Sequence, residues 1–219
     1  MIRVILCDDH ALIRRGIRDT LSDAPDIEVV GEAGDYGELR ALMRTLSSAR
    51  DGAAAADVLL LDIHLPGRSG LDVMHTLKEE GSPVKVLVVS MYPEDQYALR
   101  ALRAGAFGYV NKGGDPQTLV TAVRTVAQGR KYVTPEIAQM LVESLTAPVA
   151  ENPHERLSDR ELQTLVMIAS GKRLSDIAEE LKLSPKTVSV YRARVLEKLG
   201  LHNNSELTVY AIRNGLVGS

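Results

Sequence analysis

The chain has 219 residues, of which 45% are hydrophobic and 25% charged, so it is long enough to bury the cores of two modest domains. Its one cysteine, Cys7, excludes an intramolecular disulfide, and we expect it to be a small buried hydrophobe in a reducing compartment. No stretch approaches about 18 consecutive apolar residues, and the N-terminus lacks a basic region followed by an apolar one. We therefore expect a cytoplasmic protein with no membrane partner.

The net charge of -3 is divided unevenly along the chain. Residues 1 to 153 carry 16 basic and 21 acidic side chains, a net charge of -5, whereas residues 154 to 219 carry 10 and 8, a net charge of +2. A mildly basic C-terminal part is compatible with a polyanionic partner, although so small an excess is weak evidence by itself.

Up to residue 128 the sequence alternates between apolar strand patterns and helical patterns five times, which predicts a parallel sheet with helices on both faces. Right-handed crossovers then favour a doubly wound α/β domain. The predicted helices span residues 11 to 23, 35 to 48, 69 to 80, 95 to 104 and 115 to 128. The alanine-rich stretch from Ser47 to Ala56 is predicted to be exposed and mobile.

Residues 129 to 156 are predicted to form a linker that contains one short helix starting near Pro135. A second, smaller all-α domain follows at residues 157 to 219, with helical patterns at about 159 to 170, 174 to 181, 185 to 199 and 205 to 214. Ser158, Ser175 and Ser184 are the predicted N-caps, and Gly171, Gly200 and Gly215 stand where helices are expected to end.

Acidic residues follow two of the buried strand patterns of the first domain. Asp8 and Asp9 come directly after residues 2 to 7, and Asp62 comes directly after residues 58 to 61. Ser90 follows the fourth strand pattern, and Lys112 closely follows the fifth. Because ligands bind outside the carboxyl ends of parallel strands, these side chains are expected to converge at one edge of the sheet.

Crowded carboxylates are stable only when protons or a cation neutralise them, and Mg²⁺ accepts one or two carboxylates together with phosphate oxygens. The pattern therefore predicts a phosphoryl-transfer site in which Asp62 attacks, Asp8 and Asp9 hold the metal, and Lys112 and Ser90 contact the phosphoryl oxygens. The plainer alternative is that each acid only caps a helix and that Lys112 is solvated. The first strand leads into Asp8, Asp9 and His10 and not into a glycine-rich turn, which disfavours a dinucleotide site.

In the C-terminal domain, residues 174 to 181 and 185 to 199 have the layout of a helix-turn-helix. Residues 186 to 198 carry a net charge of +3, so the excess charge of the domain is concentrated on one helix. Such a helix fits the major groove of DNA. The alternative is that its basic face is only solvated and binds no partner. The residues predicted to contact DNA are Lys186, Thr187, Ser189, Val190, Arg192, Ala193, Arg194 and Lys198.

Residues 1 to 128 resemble the receiver domain of bacterial two-component response regulators, which has a five-stranded flavodoxin-like fold. The resemblance is carried by Asp8-Asp9-His10, by residues 62 to 70, by Ser90-Met91 and by residues 104 to 112. It implies that Asp62 accepts phosphate from a sensor histidine kinase, and that Mg²⁺ is held by Asp9, Asp62, the backbone carbonyl of His64 and, partly through water, Asp8.

The same resemblance implies that Ser90 and Tyr109 are a switch pair that reorients on phosphorylation, although Tyr109 could be a plain core aromatic. We also expect the His64 side chain to influence the lifetime of the acyl phosphate. His10, by contrast, is expected to be a helix-start residue more often than a chemical one.

Residues 157 to 217 resemble the LuxR-type DNA-binding domain, through residues 157 to 161, 169 to 172, 176 to 178, 183 to 188 and 196 to 200. Together with the receiver, nearly the whole chain resembles the NarL/FixJ subfamily of response regulators. By this resemblance, Thr187 and Arg194 occupy positions that commonly touch the DNA backbone.

The sequence thus predicts a phosphorylation-controlled transcription factor, not an enzyme, that binds promoter DNA as a homodimer when phosphorylated. The last helix, with Leu207, Val209, Tyr210 and Ile212, offers an apolar stripe for pairing, and helices 11 to 23 and 115 to 128 are further candidates. Two alternatives stay open. The first domain could be a Mg²⁺-dependent aspartyl-phosphate phosphohydrolase, or the protein could bind DNA regardless of phosphorylation.

Overall fold

A computed structural model describes residues 1–48, 54–91, 94–146 and 152–217, which form two compact units, Met1–Thr146 and Ala147–Ser219. The first unit contains five strands, β1 (Ile2–Cys7), β2 (Ile27–Ala33), β3 (Val58–Asp62), β4 (Lys85–Ser90) and β5 (Gly108–Asn111). Its helices are α1 (Ala11–Ser22), α2 (Tyr36–Ser48), α3 (Gly70–Glu79), α4 (Glu94–Ala104), α5 (Pro116–Ala127) and α6 (Pro135–Thr146). The nine helices given explicit bounds by the sequence pattern all begin and end within one residue of those bounds.

The five strands are parallel and lie in the order β2-β1-β3-β4-β5, which confirms the predicted doubly wound α/β fold. Right-handed crossovers with this strand order place α1 and α5 on one face and α2, α3 and α4 on the other. β3 is buried at every residue, as expected for a central parallel strand. Alternate residues of the central strands, such as Leu60 and Val89, form one core with Val120 and Val123 of α5.

The segment after α5 pairs with the start of β5 at the edge of the sheet. The Tyr132 backbone N–H donates to the Phe107 carbonyl at 2.7 Å, and Tyr132 forms a parallel bridge with Gly108. A Cβ at Gly108 would lie 2.8 Å from the Tyr132 carbonyl oxygen, so the close approach depends on glycine. Lys131 adds a hydrogen bond to the Ala106 carbonyl and a cation–π contact with Phe107.

Helix α6 belongs to the first unit, although the sequence pattern placed it in a linker. It packs against α4, and its Ile137 is completely buried. The alanine-rich stretch also differs from its prediction, because Ala55 and Ala56 are buried and Arg3 donates to the Ala55 carbonyl at 2.9 Å. The expected exposure is therefore wrong for these two residues, and residues 49–53 lie outside the described part of the chain.

The second unit begins with a 3-10 turn, Pro153–Arg156, and continues with α7 (Asp159–Ala169), α8 (Leu174–Glu180), α9 (Pro185–Leu199) and α10 (Asn204–Arg213). Helix α7 packs against both α9 and α10, and α8 packs against α9. The α8–α9 pair is held by a small core that includes Ile177, Leu181 and Val188. This arrangement confirms the predicted all-α helix-turn-helix domain.

Side-chain caps at Ser158 and Ser184 begin α7 and α9, as predicted. The predicted cap at Ser175 is wrong, because the N-cap of α8 is Arg173, two residues earlier, and the Ser175 hydroxyl bonds to the Asp176 carboxylate. Gly171, Gly200 and Gly215 follow their helices with φ near 83°, 66° and 66°, a left-handed conformation that favours glycine. None of the helices in the described residues is long and apolar enough to cross a membrane.

Candidate functional site

Three buried charges meet at the carboxyl ends of β1, β3 and β5. Asp8 follows β1, Asp62 is the last residue of β3, and Lys112 comes directly after β5. The Lys112 Nζ atom lies 2.6 Å from Asp8 Oδ2 and 2.7 Å from Asp62 Oδ2, and all three side chains are at most 5% exposed. The register of the parallel strands, and not sequence proximity, brings these side chains together, as the strand-end pattern predicted.

The surroundings of Asp62 disfavour the ionised form of its carboxyl group. Burial raises the pKa of the Asp62 carboxyl above its ordinary value, the Lys112 ammonium opposes this shift, and the negative charge of Asp8 adds to it. Burial likewise raises the pKa of the Cys7 thiol, with Asp62 and Asp8 contributing, so Cys7 is a neutral core residue as expected. One lysine ammonium is therefore the counter-ion of two buried carboxylates. The pocket thus favours the binding of a further cation.

Two backbone features fix the position of Asp62. The His64 backbone N–H donates to Asp62 Oδ1 at 3.2 Å. The Gly70 N–H donates to the Ile63 carbonyl at 2.8 Å, and a Cβ at Gly70 would lie only 2.2 Å from the Asp62 carbonyl oxygen. Helix α3, whose N-terminus is stabilised by a capping box at buried Ser69, is thus packed directly against the end of β3.

The donor set of the pocket fits a hard divalent cation. Ligand atoms of Asp8, Asp9, His10 and Asp62 all lie within 4.8 Å of one another. Carboxylate oxygens are the ligands that Mg²⁺ accepts in proteins, usually one or two at a time, with waters completing its octahedron. Asp9, whose side chain is 15% exposed, lies toward solvent compared with Asp8 and Asp62, as a site open to a second ligand requires.

Arg14 is a residue of this site that the sequence pattern did not reveal. Its guanidinium donates to the Asp8 backbone carbonyl and also pairs with Glu32 on β2 at 3.3 Å. The loop that carries Asp8 and Asp9 is therefore tied to α1 and to the neighbouring strand. The sequence shows an arginine near the start of α1, but only the packing of α1 identifies the groups that it contacts.

Ser90 and Tyr109, the predicted switch pair, are both completely buried. Ser90 ends β4, and Tyr109 is on β5, where its backbone is paired with Val88. The Lys112 N–H donates to the Ser90 carbonyl at 2.8 Å, so the serine and the pocket lysine share one strand end. The His64 ring meets the ring of buried Tyr97 on α4 edge to face, with centroids 5.8 Å apart.

A second candidate surface lies on α9 in the C-terminal unit. The apolar side of the helix is set by Val188, Val195 and Leu196, which are buried. Of the residues predicted to contact DNA, six are exposed and two, Thr187 and Arg192, are half-buried. The exposed ones are Lys186, Ser189, Val190, Ala193, Arg194 and Lys198.

Lys198 and Arg192 each bind a side chain on another helix of the domain. Lys198 Nζ lies 2.6 Å from a carboxylate oxygen of buried Glu161 on α7, and Arg192 Nε donates to Asn204 at 2.6 Å. Burial raises the pKa of Glu161, but hydrogen bonds from Lys198 and Ser158 outweigh it and lower the pKa below its ordinary value. Lys198 therefore anchors α9 to α7 through the α7 capping box.

The fold and these two surfaces define a receiver joined to a helix-turn-helix domain. Residues 4–124 match the response regulator receiver domain family, and residues 155–211 match the bacterial regulatory proteins of the luxR family. The chain is 41% identical over 217 residues to the response regulator UvrY of Escherichia coli, covering 99% of this chain and 96% of UvrY. It is 40% identical over 217 residues to the response regulator GacA of Pseudomonas protegens, covering 99% of this chain and 98% of GacA.

Solved structures agree with these matches. The response regulator RcsB of Salmonella enterica serovar Typhimurium, bound to a promoter in the presence of a phosphomimetic, superimposes with a TM-score of 0.63 at 28% identity, over 95% of this chain and 97% of RcsB. ChrA, of a heme-sensing two-component system, gives 0.51 at 30% identity over 99% and 98% of the chains. The chain belongs to the NarL/FixJ family of two-component response regulators, which regulate transcription.

Proposed function

We propose that Asp62 is the phosphorylated residue and that a sensor histidine kinase supplies the phosphoryl group. In this transfer an Asp62 carboxylate oxygen forms the new bond to phosphorus as the bond from phosphorus to the histidine nitrogen breaks. The observation that carries the proposal is the convergence of Asp62, Asp8 and Lys112 within 2.7 Å contacts at one sheet edge. Such a cluster costs folding free energy, and phosphoryl transfer is the chemistry that uses it.

Mg²⁺ is the cofactor that this site would take, held by Asp9, Asp62, the backbone carbonyl of His64 and, partly through water, Asp8. When bound, it would offset the negative charge that gathers on the transferring phosphoryl oxygens. Lys112 is already placed to contact an oxygen of a phosphoryl group on Asp62, since its Nζ atom lies 2.7 Å from Asp62 Oδ2. We assign Ser90 as a donor to the phosphoryl group and Tyr109 as its partner in the switch.

The proposed output is binding to promoter DNA through α9. The exposed cations Lys186 and Arg194, with the hydroxyl of Thr187, would contact phosphates, while Ser189, Val190 and Ala193 would face base edges. Arg192 would flank this surface. For Lys198 the structure favours an indirect part, because its ammonium is bound to Glu161.

We infer that the phosphorylated protein acts as a homodimer, because a two-fold symmetric protein reads two half-sites. Val209 and Ile212 on α10 are 47% and 45% exposed and give this helix an apolar outer side. Leu12 on α1, which is 86% exposed, supports the α1 and α5 side of the receiver as a second pairing surface. We infer that the protein acts in the cytoplasm, where promoter DNA is accessible to it.

The decisive experiment measures DNA binding by the wild-type protein and by Asp62→Asn, with and without Mg²⁺ and a small-molecule phosphodonor, at one salt concentration. We expect the donor to tighten binding by the wild type and to leave Asp62→Asn unchanged. Equal binding in all conditions would favour a DNA-binding protein that is indifferent to phosphorylation.

A labelling measurement distinguishes the regulator from the phosphohydrolase alternative. We expect incorporation that stops at one phosphate per chain, followed by slow loss through self-dephosphorylation. Continuous release of inorganic phosphate from small phosphate esters would instead support an enzyme, with His64 as its acid. If His64→Ala leaves the rate of phosphate loss unchanged, His64 has no part in the lifetime of the acyl phosphate.

A further inference from the structure

His10 lies beside the acidic pocket in a position that helix capping does not explain. It occupies the N-cap position of α1, yet its side chain makes no capping hydrogen bond. The imidazole instead turns toward the acids, with Nδ1 2.8 Å from Asp9 Oδ1 and 3.5 Å from Asp8 Oδ1. The expected plain helix-start role therefore accounts for the backbone of His10 and not for its ring.

The distances around His10 fit one coordination sphere. Its ring nitrogen lies in the set of atoms from Asp8, Asp9 and Asp62 that are all within 4.8 Å of one another. Since protein ligands sit about 2.0–2.2 Å from a small divalent ion, ligands on opposite sides of the ion are roughly 4 Å apart. A contraction of less than about 1 Å would place all of them around one ion, and the ring of His10, which is 62% exposed, has room to move.

The two sides of the pocket also differ chemically. Lys112 takes the Oδ2 atoms of Asp8 and Asp62, whereas His10 faces the Oδ1 atoms of Asp8 and Asp9. The inner side therefore holds a fixed cation, and the outer side combines carboxylate oxygens with an imidazole nitrogen. Imidazole is a good ligand for nickel, zinc and iron, whereas Mg²⁺ strongly prefers oxygen.

We propose that His10 is a nitrogen ligand that adapts this pocket to divalent transition-metal ions. The inference rests on the proposed metal site and deepens it by naming a residue that sets metal preference. With Mg²⁺ the imidazole stays outside the coordination sphere, and with Ni²⁺ it enters it. Phosphorylation of Asp62 would then respond to which ion the cell supplies.

The first test measures Ni²⁺ and Mg²⁺ affinity by calorimetry on the full-length wild type, His10→Gln and His75→Gln. His75 is an exposed histidine on α3 and serves as the matched control. Removing a residue that merely orients a metal ligand costs roughly 10–100-fold in affinity. We therefore expect His10→Gln to weaken Ni²⁺ binding at least about tenfold, with Mg²⁺ affinity changed by less than about twofold.

The second test uses X-ray absorption at the nickel edge. The spectrum of the Ni²⁺ protein should show imidazole scattering in the wild type and in His75→Gln, and none in His10→Gln. Imidazole scattering that persists in His10→Gln would overturn the proposal. An equal loss of Mg²⁺ and Ni²⁺ affinity would also overturn it, because that result describes a general electrostatic effect.

An Asp9→Asn variant separates this inference from the proposed function. If Asp9→Asn leaves Mg²⁺ and Ni²⁺ binding intact, the acidic pocket is not the metal site and both proposals fail. If Asp9→Asn abolishes Mg²⁺ binding while His10→Gln keeps the wild-type ratio of Ni²⁺ to Mg²⁺ affinity, only the role of His10 is wrong.

Discussion

The acidic pocket of the receiver and the exposed side of α9 both gather charge, but they do so under opposite physical conditions. In the pocket, Asp8, Asp62 and Lys112 are almost fully buried and each contact is short. On α9, Lys186 and Arg194 are exposed to solvent. Burial makes each pocket residue costly to change, because a lone buried charge is strongly unfavourable, whereas exposed cations act in small and nearly additive steps.

The largest effect is expected where one buried partner is removed. Lys112→Met leaves two carboxylates without their counter-ion, so the first unit should lose about 3–5 kcal/mol of unfolding free energy. Urea unfolding followed by circular dichroism measures this loss, and Mg²⁺ should restore part of it. Lys78→Met, at an exposed position on α3, should change the unfolding free energy by less than about 0.5 kcal/mol. A similar effect for both variants would contradict the contrast between buried and exposed charge.

The packing around the pocket gives the next effect. Gly70→Ala places a Cβ against the Asp62 carbonyl, so we expect a loss of about 1–3 kcal/mol and slower phosphorylation. Gly16→Ala is the matched control, because no atom lies within 4 Å of its added Cβ in α1. In a helix interior, a change from glycine to alanine should raise the free energy of unfolding by about 0.5–1 kcal/mol. The melting temperatures of the two variants should shift in opposite directions, and an unchanged or raised melting temperature for Gly70→Ala would show that the close approach is unimportant.

The buried carboxylate of Glu161, paired with Lys198, also supports the DNA-binding unit, and it should show in the pH dependence of stability. The pKa of Glu161 is lower in the folded state, so its contribution is present above its ordinary value of 4.5 and is lost as pH falls through the lowered value. Glu161→Gln should cost about 1–3 kcal/mol at neutral pH. Unfolding measured from neutral pH to about pH 3 should show the variant approaching the wild type in acid. A constant gap across this range would assign the effect to shape and not to charge.

The smallest effect is expected on the exposed side of α9. Lys186→Gln should reduce the salt dependence of DNA affinity by about one phosphate contact, a change of about 0.9 in the slope of log K against log salt. Lys198→Gln should alter this slope less and lower the stability of the unit more, because its ammonium is bound to Glu161. Titrations with one promoter fragment at several salt concentrations measure both slopes. A larger slope change for Lys198→Gln than for Lys186→Gln would indicate that Lys198 contacts a phosphate directly.

The same contrast explains how much the sequence could predict. Strand periodicity located Asp8, Asp62 and Lys112, because parallel strands bring their carboxyl ends to one edge whatever the loops do. Helical periodicity likewise separated the buried side of α9 from its exposed side. These features depend on local repeats, which a single sequence contains.

The features that the sequence did not predict depend on long-range contacts. The bonds from Arg14 to the Asp8 carbonyl and from Lys198 to Glu161 join elements whose relative positions follow only from packing. The helix α6 was recognised but was placed in a linker, because no local signal shows that Ile137 is buried against the first unit. Ser175 was predicted as a cap from its residue type, and the helix begins two residues too early for that role.

The bridge between Tyr132 and the start of β5 bears on how the receiver can be produced alone. A fragment ending at residue 128, where the strand and helix alternation stops, would lose the bridge between Tyr132 and Gly108 at the start of β5. Extending the fragment to Thr146 keeps Tyr132, Lys131 and α6 in place. The segment that follows α5 is therefore part of the receiver as a folding unit, and its removal should lower the free energy of unfolding of the fragment.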